Sequence, residues 1–383
     1  MTDSNSIEPV LEQTRGFRWG EVPADRHQRR AAVAVADPDL GGIAGFRGTF
    51  TGTGLNTIFR PQNFGATPTP LPNPASGPDD NVLEINLTEE TLSFSQPLGS
   101  IPNRGMVQGD IFLNGIPYLQ SINDVTEPGQ AVGIHFEPGI WLSVPATTAP
   151  ALQPSVARMA SIPHGTTIEA QGFSVTVDGG PDIQPVDITP FPIGAPGTPI
   201  KFPSQTAAAT DTFRIPQDLS EFITAGTITQ EILDNPNVVL KKRADAQTIT
   251  STTVIVTSTD PADPLFGGGA GNIAFLRGDK QGANPNADAV TMSAIFWVET
   301  VSETITVRPP GAGQPVIVRG SGPAPAPSFR VNSATPITKE TAVEVNWTQI
   351  QYTQTVLLNF NGLSWPHVSV ATLVPTEPID VTI

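Results

Sequence analysis

The chain contains no cysteine. That absence excludes disulfides, thiolate metal sites, iron–sulfur clusters and cysteine nucleophiles. Charge is sparse too: Asp, Glu, Lys and Arg make up only 15% of 383 residues, and 36 acidic against 20 basic residues leave a net charge of −16. A chain this acidic repels phosphate backbones, so nucleic acid is not expected as a partner. The one basic cluster, Arg26-His27-Gln28-Arg29-Arg30, stands beside Asp25 and reads as a solvated segment. No apolar run approaches the roughly 18–20 residues of a membrane span. The opening "MTDSNSIEPVLEQ" has neither a basic n-region nor an apolar h-region. The expectation is a soluble, cytoplasmic protein without a membrane partner.

What the chain does have is turn chemistry. It carries 35 Gly and 40 Pro, and its polar remainder is Thr, Ser, Asn and Gln. This mixture suits many short strands joined by turns and does not suit a helical bundle. Residues 1–40 are weakly patterned and read as an extended arm. From Gly45, "GFRGTFTGTGLNTIF" sets glycines at 45, 48, 52 and 54 among large apolar residues. Glycine so dense in a strand marks bulges or close backbone approach. A proline-rich loop follows, and then "NVLEINLTEETLSFS", "GDIFLNGIPYLQSINDV", "AVGIHFEPGIWLSVP" and "SVARMASIPHGTTIEAQG", each bounded by turn residues. Such spacing predicts an all-β sandwich or barrel.

Residues 173–335 are organised more loosely. "IPQDLSEFITAGTITQEILDNPNVVLKKR" is the one helical region, with Pro216 suited to a first turn and Thr229 or Thr227 to a cap before Asn235-Pro236. Its apolar residues are expected to pack over or beside the barrel mouth. "AVTMSAIFWVETVSETITV" alternates but carries large apolar residues on both faces, so both faces are expected to be covered. "IQYTQTVLLNF" and "HVSVATLV", joined by "NGLSWP", predict a closing hairpin.

Motifs for common chemistries are missing. "FGGGAGNIAF" lacks the Lys-Ser/Thr of a phosphate loop and reads as a tight turn. The Gly-Ser-Gly at 320–322 sits in a proline-rich loop rather than a nucleophile elbow. Glu89 and Glu90 are adjacent on a strand and point to opposite faces. Four histidines remain. His135 reads as a strand histidine bonded to a backbone group or carboxylate, and His164 as a turn residue. A zinc site from these two has no supporting short spacing.

Taken in order, several segments resemble nitrobindin, a family of small heme-binding β-barrels. "GTFTGTGLNTI" resembles its G-x-W-x-G-x-G-x-Y-P-T-I opening strand, and "FLNGIPYLQSINDV" its G-x-P-x-L strand. "GIHFEPGIWLSVP" resembles M-H-x-E-x-G-(F/Y)-(I/W)-R, and "ARMASIPHGTTIEAQG" resembles A-x-x-x-G-x-x-E-x-x-x-G. "YTQTVLLNFNGLSWPHVSVATLVP" resembles the closing hairpin, whose histidine binds the heme iron. The matches cover about 45–62, 84–172 and 345–376. Phe50 replaces the usual Trp, Leu55-Asn56 replaces Tyr-Pro, Leu142 takes the Arg position, and 173–335 is far longer than the family's connection.

The resemblance implies an antiparallel barrel over 41–376, with 173–335 inserted as a lid or extension carrying extra strands and one or two short helices, and 377–383 as a tail. It implies b-type heme, with His367 as the proximal iron ligand and Thr57 and Ile58 near the porphyrin. It also implies action on nitric oxide, peroxynitrite or peroxide, as an isomerase or a peroxidase-type oxidoreductase, although no peroxidase-like acid–base pair is evident in the sequence. A homodimer is compatible with this reading. The alternative is a heme-free barrel that binds or transforms a hydrophobic small molecule, with His135, Glu137 or His367 as acid or base. A third reading, a structural interaction module, rests only on the proline-rich loops.

Overall fold

The computed structural model describes residues 19, 38–62, 81–260, 267–279, 285–309, 316–322 and 324–383. Apart from Trp19 and 38–40, the expected N-terminal arm lies outside these residues, as do the basic cluster at 26–30 and the proline-rich loop. Ten long strands form the wall: β1 Gly48–Pro61, β2 Asn81–Phe94, β3 Ile111–Asp124, β4 Val132–Val144 and β5 Ser155–Ile162 come first. β6 Thr166–Asp178, β7 Thr248–Ser258, β8 Asp288–Val307, β9 Thr341–Phe360 and β10 Leu363–Pro375 complete it. Each strand pairs antiparallel with its neighbour in sequence, and β10 closes the ring on β1. The result is a closed up-and-down barrel of ten strands, with extra strands and four short helices among the described residues. Closure removes the unpaired edges that an open sheet would expose.

The tight β1–β10 contact explains the glycine-rich opening. A Cβ on Gly52 would lie 1.9 Å from the Thr372 carbonyl oxygen. The close backbone approach expected from the sequence is therefore present.

Alternation along the strands divides the apolar residues into two cores. The inner core closes one end of the barrel. There Phe46 stacks on Phe94 with ring centroids 4.7 Å apart, and Trp141 meets Phe296 edge-on at 5.2 Å. A 3-10 turn at Gly41–Ile43 inserts Leu40 and Ile43 beneath them. The outer core lies against the opposite faces of the same strands, where Leu83, Ile85, Trp297, Val368 and Val370 pack with Leu219, Ile228, Ile232 and Leu240. Both faces of β8 are covered, as its pattern predicts: Phe296 faces inward and Trp297 outward.

The region 173–335 is thus partly wall and partly outer cladding. It contributes β7 and β8 to the ring, while α1 Ser220–Ala225, α2 Gln230–Asp234 and α3 Val238–Asp245 lie on the outside. The expected single helical segment is broken, because Gly226 ends α1 in a left-handed conformation and Pro236 follows α2. Thr229 caps α2, its hydroxyl accepting from the Ile232 amide at 3.3 Å. Pro216 lies before α1 and outside any helix. These helices flank the wall rather than cover the mouth. Their apolar residues find a larger apolar partner in the outward faces of β1, β2, β9 and β10. Arg214, fully buried, ties this cladding together by donating to six backbone carbonyls between Ser204 and Gln217. The fourth helix, α4, spans Ala274–Arg277. Ile379–Thr382, in the expected tail, is a strand parallel to Ser328–Asn332.

Candidate functional site

Above the aromatic core the barrel holds a polar layer, and above that a cavity of about 450 Å³. In the polar layer Glu137 and Arg158 are fully buried and bonded at 2.6 Å. The Tyr118 hydroxyl donates to Glu137 Oε1 and accepts from Arg158 Nε at 2.8 Å. Arg158 Nη1 donates to Gln354 Oε1 at 2.7 Å, and its guanidinium lies 5.4–5.6 Å from the Tyr118, Trp141 and Phe296 ring centroids. Burial alone would raise the Glu137 carboxyl. The Arg158 charge and the His135 and Tyr118 hydrogen bonds outweigh it and hold the group down at about 2.

A second buried carboxylate has no such partner. Glu90 accepts from Tyr352 Oη at 2.6 Å, Gln120 Nε2 at 3.3 Å and Thr88 Oγ1 at 3.1 Å. Desolvation still raises its carboxyl above the ordinary range, against those hydrogen bonds.

The cavity has apolar walls, including Ile58, Ile122, Ile162, Val356 and Leu358, with Arg60 and Glu84 also on its lining. All three described histidines, His135, His164 and His367, line it. His367 follows Trp365-Pro366 on β10, and its Nδ1 lies 3.0 Å from the Thr57 carbonyl oxygen on β1. A carbonyl only accepts, so Nδ1 carries the proton and Nε2 keeps its lone pair. Burial, helped by the charges of His135 and His164, pushes this imidazole down to about 4, although the Thr57 bond opposes the shift. His367 is therefore neutral at physiological pH.

His135 Nε2 lies 3.2 Å from Glu137 Oε2. Of the two partners open to this strand histidine, a backbone group or a carboxylate, it takes the carboxylate of Glu137, two residues along the same inner face. His164 occupies the turn between β5 and β6, where its Nε2 donates to the Ile134 carbonyl at 3.0 Å. The ring centroids of His135 and His164 are 5.8 Å apart. Among the described residues no cluster of three or more His, Cys, Asp or Glu forms a metal site.

Of the residues singled out from the sequence, Ile58, His135 and His367 share the cavity, with Glu137 beneath it. Thr57 is not on the lining. It is an outward-facing position of β1 and contributes only its carbonyl oxygen. Sequence reasoning passed over Arg158 and Tyr118. Arg158 shares the inner face of β5 with Val156, Ala160 and Ile162, and a charge on an otherwise apolar strand face was the available signal. Glu89 and Glu90 point to opposite faces as predicted, the first exposed and the second buried.

No helix of the described residues is long and apolar enough to cross a membrane. No protein-family model matches the chain, and no curated protein matches it. Among solved structures, the crystal structure of Rv2717c from M. tuberculosis aligns with a TM-score of 0.33 and 9% identity, over 88% of this chain and 100% of that one. A likeness at that level carries no argument, and the barrel rests on the strand pairing alone.

Proposed function

We propose that the cavity binds heme b, with His367 Nε2 as the axial ligand to the iron. The observation that carries this reading is the neutral imidazole of His367 lining the cavity, its other nitrogen held by the Thr57 carbonyl. Metal-binding histidines are commonly oriented by such a bond, which sets the tautomer and increases ligand basicity. One imidazole is enough, because the porphyrin supplies the remaining four nitrogens. The cavity volume falls within the ~300–1,000 Å³ common for small-molecule and cofactor sites. Its aliphatic wall suits a macrocycle face, and the Arg60 guanidinium, which bonds Glu84 at 3.1 Å through Nη1, has further N–H groups for a propionate carboxylate. The order of segments that resemble nitrobindin motifs supports the same assignment. Heme bound here would supply an iron able to take nitric oxide, peroxynitrite or peroxide as a further ligand.

The test is a hemin titration of purified protein. A saturable Soret band near 400 nm, roughly where b-type ferric heme absorbs, is expected for the wild type and is expected to weaken or shift in His367→Ala. No band with the wild type would overturn the proposal.

A second reading is favoured by a different observation. Asn56 Nδ2 donates to Ser369 Oγ at 2.8 Å, and both residues line the cavity beside Gln120 and Tyr352. Such a floor suits one polar group on an otherwise apolar, heme-free ligand. Protein that ignores hemin yet binds an apolar fluorescent probe in competition with other apolar molecules would support this reading.

A further inference from the structure

Three imidazoles line one cavity, but their surroundings differ. His367 and His164 each give one nitrogen to a backbone carbonyl, and neither is bonded to a carboxylate. His135 alone is bonded to an anion. Glu137 is 0% exposed, and both of its oxygens are committed: Oε1 to Arg158 and Tyr118, Oε2 to His135. A carboxylate tied down in this way cannot rotate away, so it fixes the ring it holds. Because a carboxylate only accepts, a singly protonated His135 ring carries its proton on Nε2, and Nδ1 bonds no other described residue. A proton arriving at Nδ1 would make an imidazolium already paired with Glu137, as the carboxylate of a catalytic triad stabilises its histidine.

We propose that His135 is the acid–base residue of the cavity, taking the proton from small weak acids such as hydrogen peroxide or hydrogen cyanide, with Glu137 as its positioning residue. The H–X bond breaks, a bond forms between the proton and His135 Nδ1, and the electron pair stays on X. The step needs no oxidant or reductant. The inference rests on the heme reading for the destination of the anion, and it separates the two histidines by role. His367, disfavoured as a cation by its burial, serves as the ligand. His135, with an anionic partner, serves as the base.

The test uses full-length protein reconstituted with hemin, with cyanide association followed by the Soret shift under conditions where cyanide is protonated. General-base assistance contributes on the order of 100-fold or more, so His135→Ala is expected to slow association by about that factor while keeping the Soret band of the loaded protein. Glu137→Gln is expected to slow it as well, and ¹⁵N chemical shifts of the heme-free protein are expected to show the Nε2–H tautomer of His135 in wild type and its loss in Glu137→Gln. Should Glu137→Gln fail to fold, His135→Ala and the wild-type tautomer decide the matter. An unchanged cyanide rate in His135→Ala with the Soret band intact would overturn this inference and leave the heme reading standing. A wild-type His135 protonated on Nδ1 instead would do the same. Absence of any Soret band in the wild type would remove both.

Discussion

His367 Nδ1 lies 3.0 Å from the carbonyl oxygen of Thr57, and the two residues are 310 positions apart in the chain. They sit on the last and first strands of the barrel, where Thr57 pairs with Val368 in the β1–β10 ladder. The bond that orients this imidazole therefore depends on barrel closure. For the proposed heme site, His367→Ala is expected to abolish or loosen hemin uptake, while His164→Ala retains the wild-type spectrum. Loss of one strand side chain should cost about 0.5–3 kcal/mol, leaving far-UV circular dichroism unchanged. Hemin titration and thermal melts of both variants check this.

The buried pair Glu137–Arg158 is expected to dominate the acid response of the inner barrel. The folded carboxyl lies near 2 against an ordinary value of 4.5. Its contribution is therefore fully present above about 4.5 and is lost as pH falls toward 2. Arg158→Met would strand the carboxylate and cost about 3–5 kcal/mol at neutral pH. The deficit should shrink on acidification, as Glu137 becomes protonated. Urea denaturation of both proteins at pH 7 and at pH 4 measures the difference.

Glu299 gives the opposite sign. It is fully buried on the outer side of β8, with Oε2 accepting from Gln349 Nε2 at 2.5 Å, and Oε1 accepts no hydrogen bond among the described residues. Burial pushes its carboxyl up to about 8, against the Gln349 bond and the charge of Arg243. A raised carboxyl leaves stability intact below its unfolded value and erodes it as pH rises toward the folded one. Glu299→Gln is expected to raise the melting temperature at pH 8, with the advantage vanishing near pH 4.5. A melt series across that range checks the crossover.

Gly52→Ala tests the seam. The added Cβ would meet the Thr372 carbonyl oxygen at 1.9 Å, and its three nearest atoms all belong to the β10 backbone, which leaves nothing flexible to yield. A cost of at least about 1–3 kcal/mol is expected, measured as a lower urea midpoint. Gly48→Ala meets no atom within 4 Å, but the residue has φ +77, so it reports backbone strain alone.

Some of this architecture was legible in local sequence because its causes are local. Asn361 and Gly362, with φ 48 and 74, form the two-residue turn between β9 and β10 that "NGLSWP" announces, since the hairpin requires positive φ at both positions. Thr229 caps α2 because a short hydroxyl can reach an amide three residues on. The position of the helices was not legible. Their apolar residues could have covered a mouth or a flank, and the choice depended on how much outward apolar surface β1, β2, β9 and β10 offered once assembled.

By itself the sequence determined an all-β chain of alternating strands, because side-chain period and turn chemistry act over a few residues. It also put His135 and Glu137 on one face of one strand, since residues two apart always share a face. Only the tertiary structure decided that His135, His164 and His367 meet in one cavity, that Arg158 arrives to ionise Glu137, and that His367 is neutral. Those facts arise from burial and from charges carried in on other strands. Desolvation and Coulomb interactions depend on distance in space, which strand order along the chain does not specify until the ring closes.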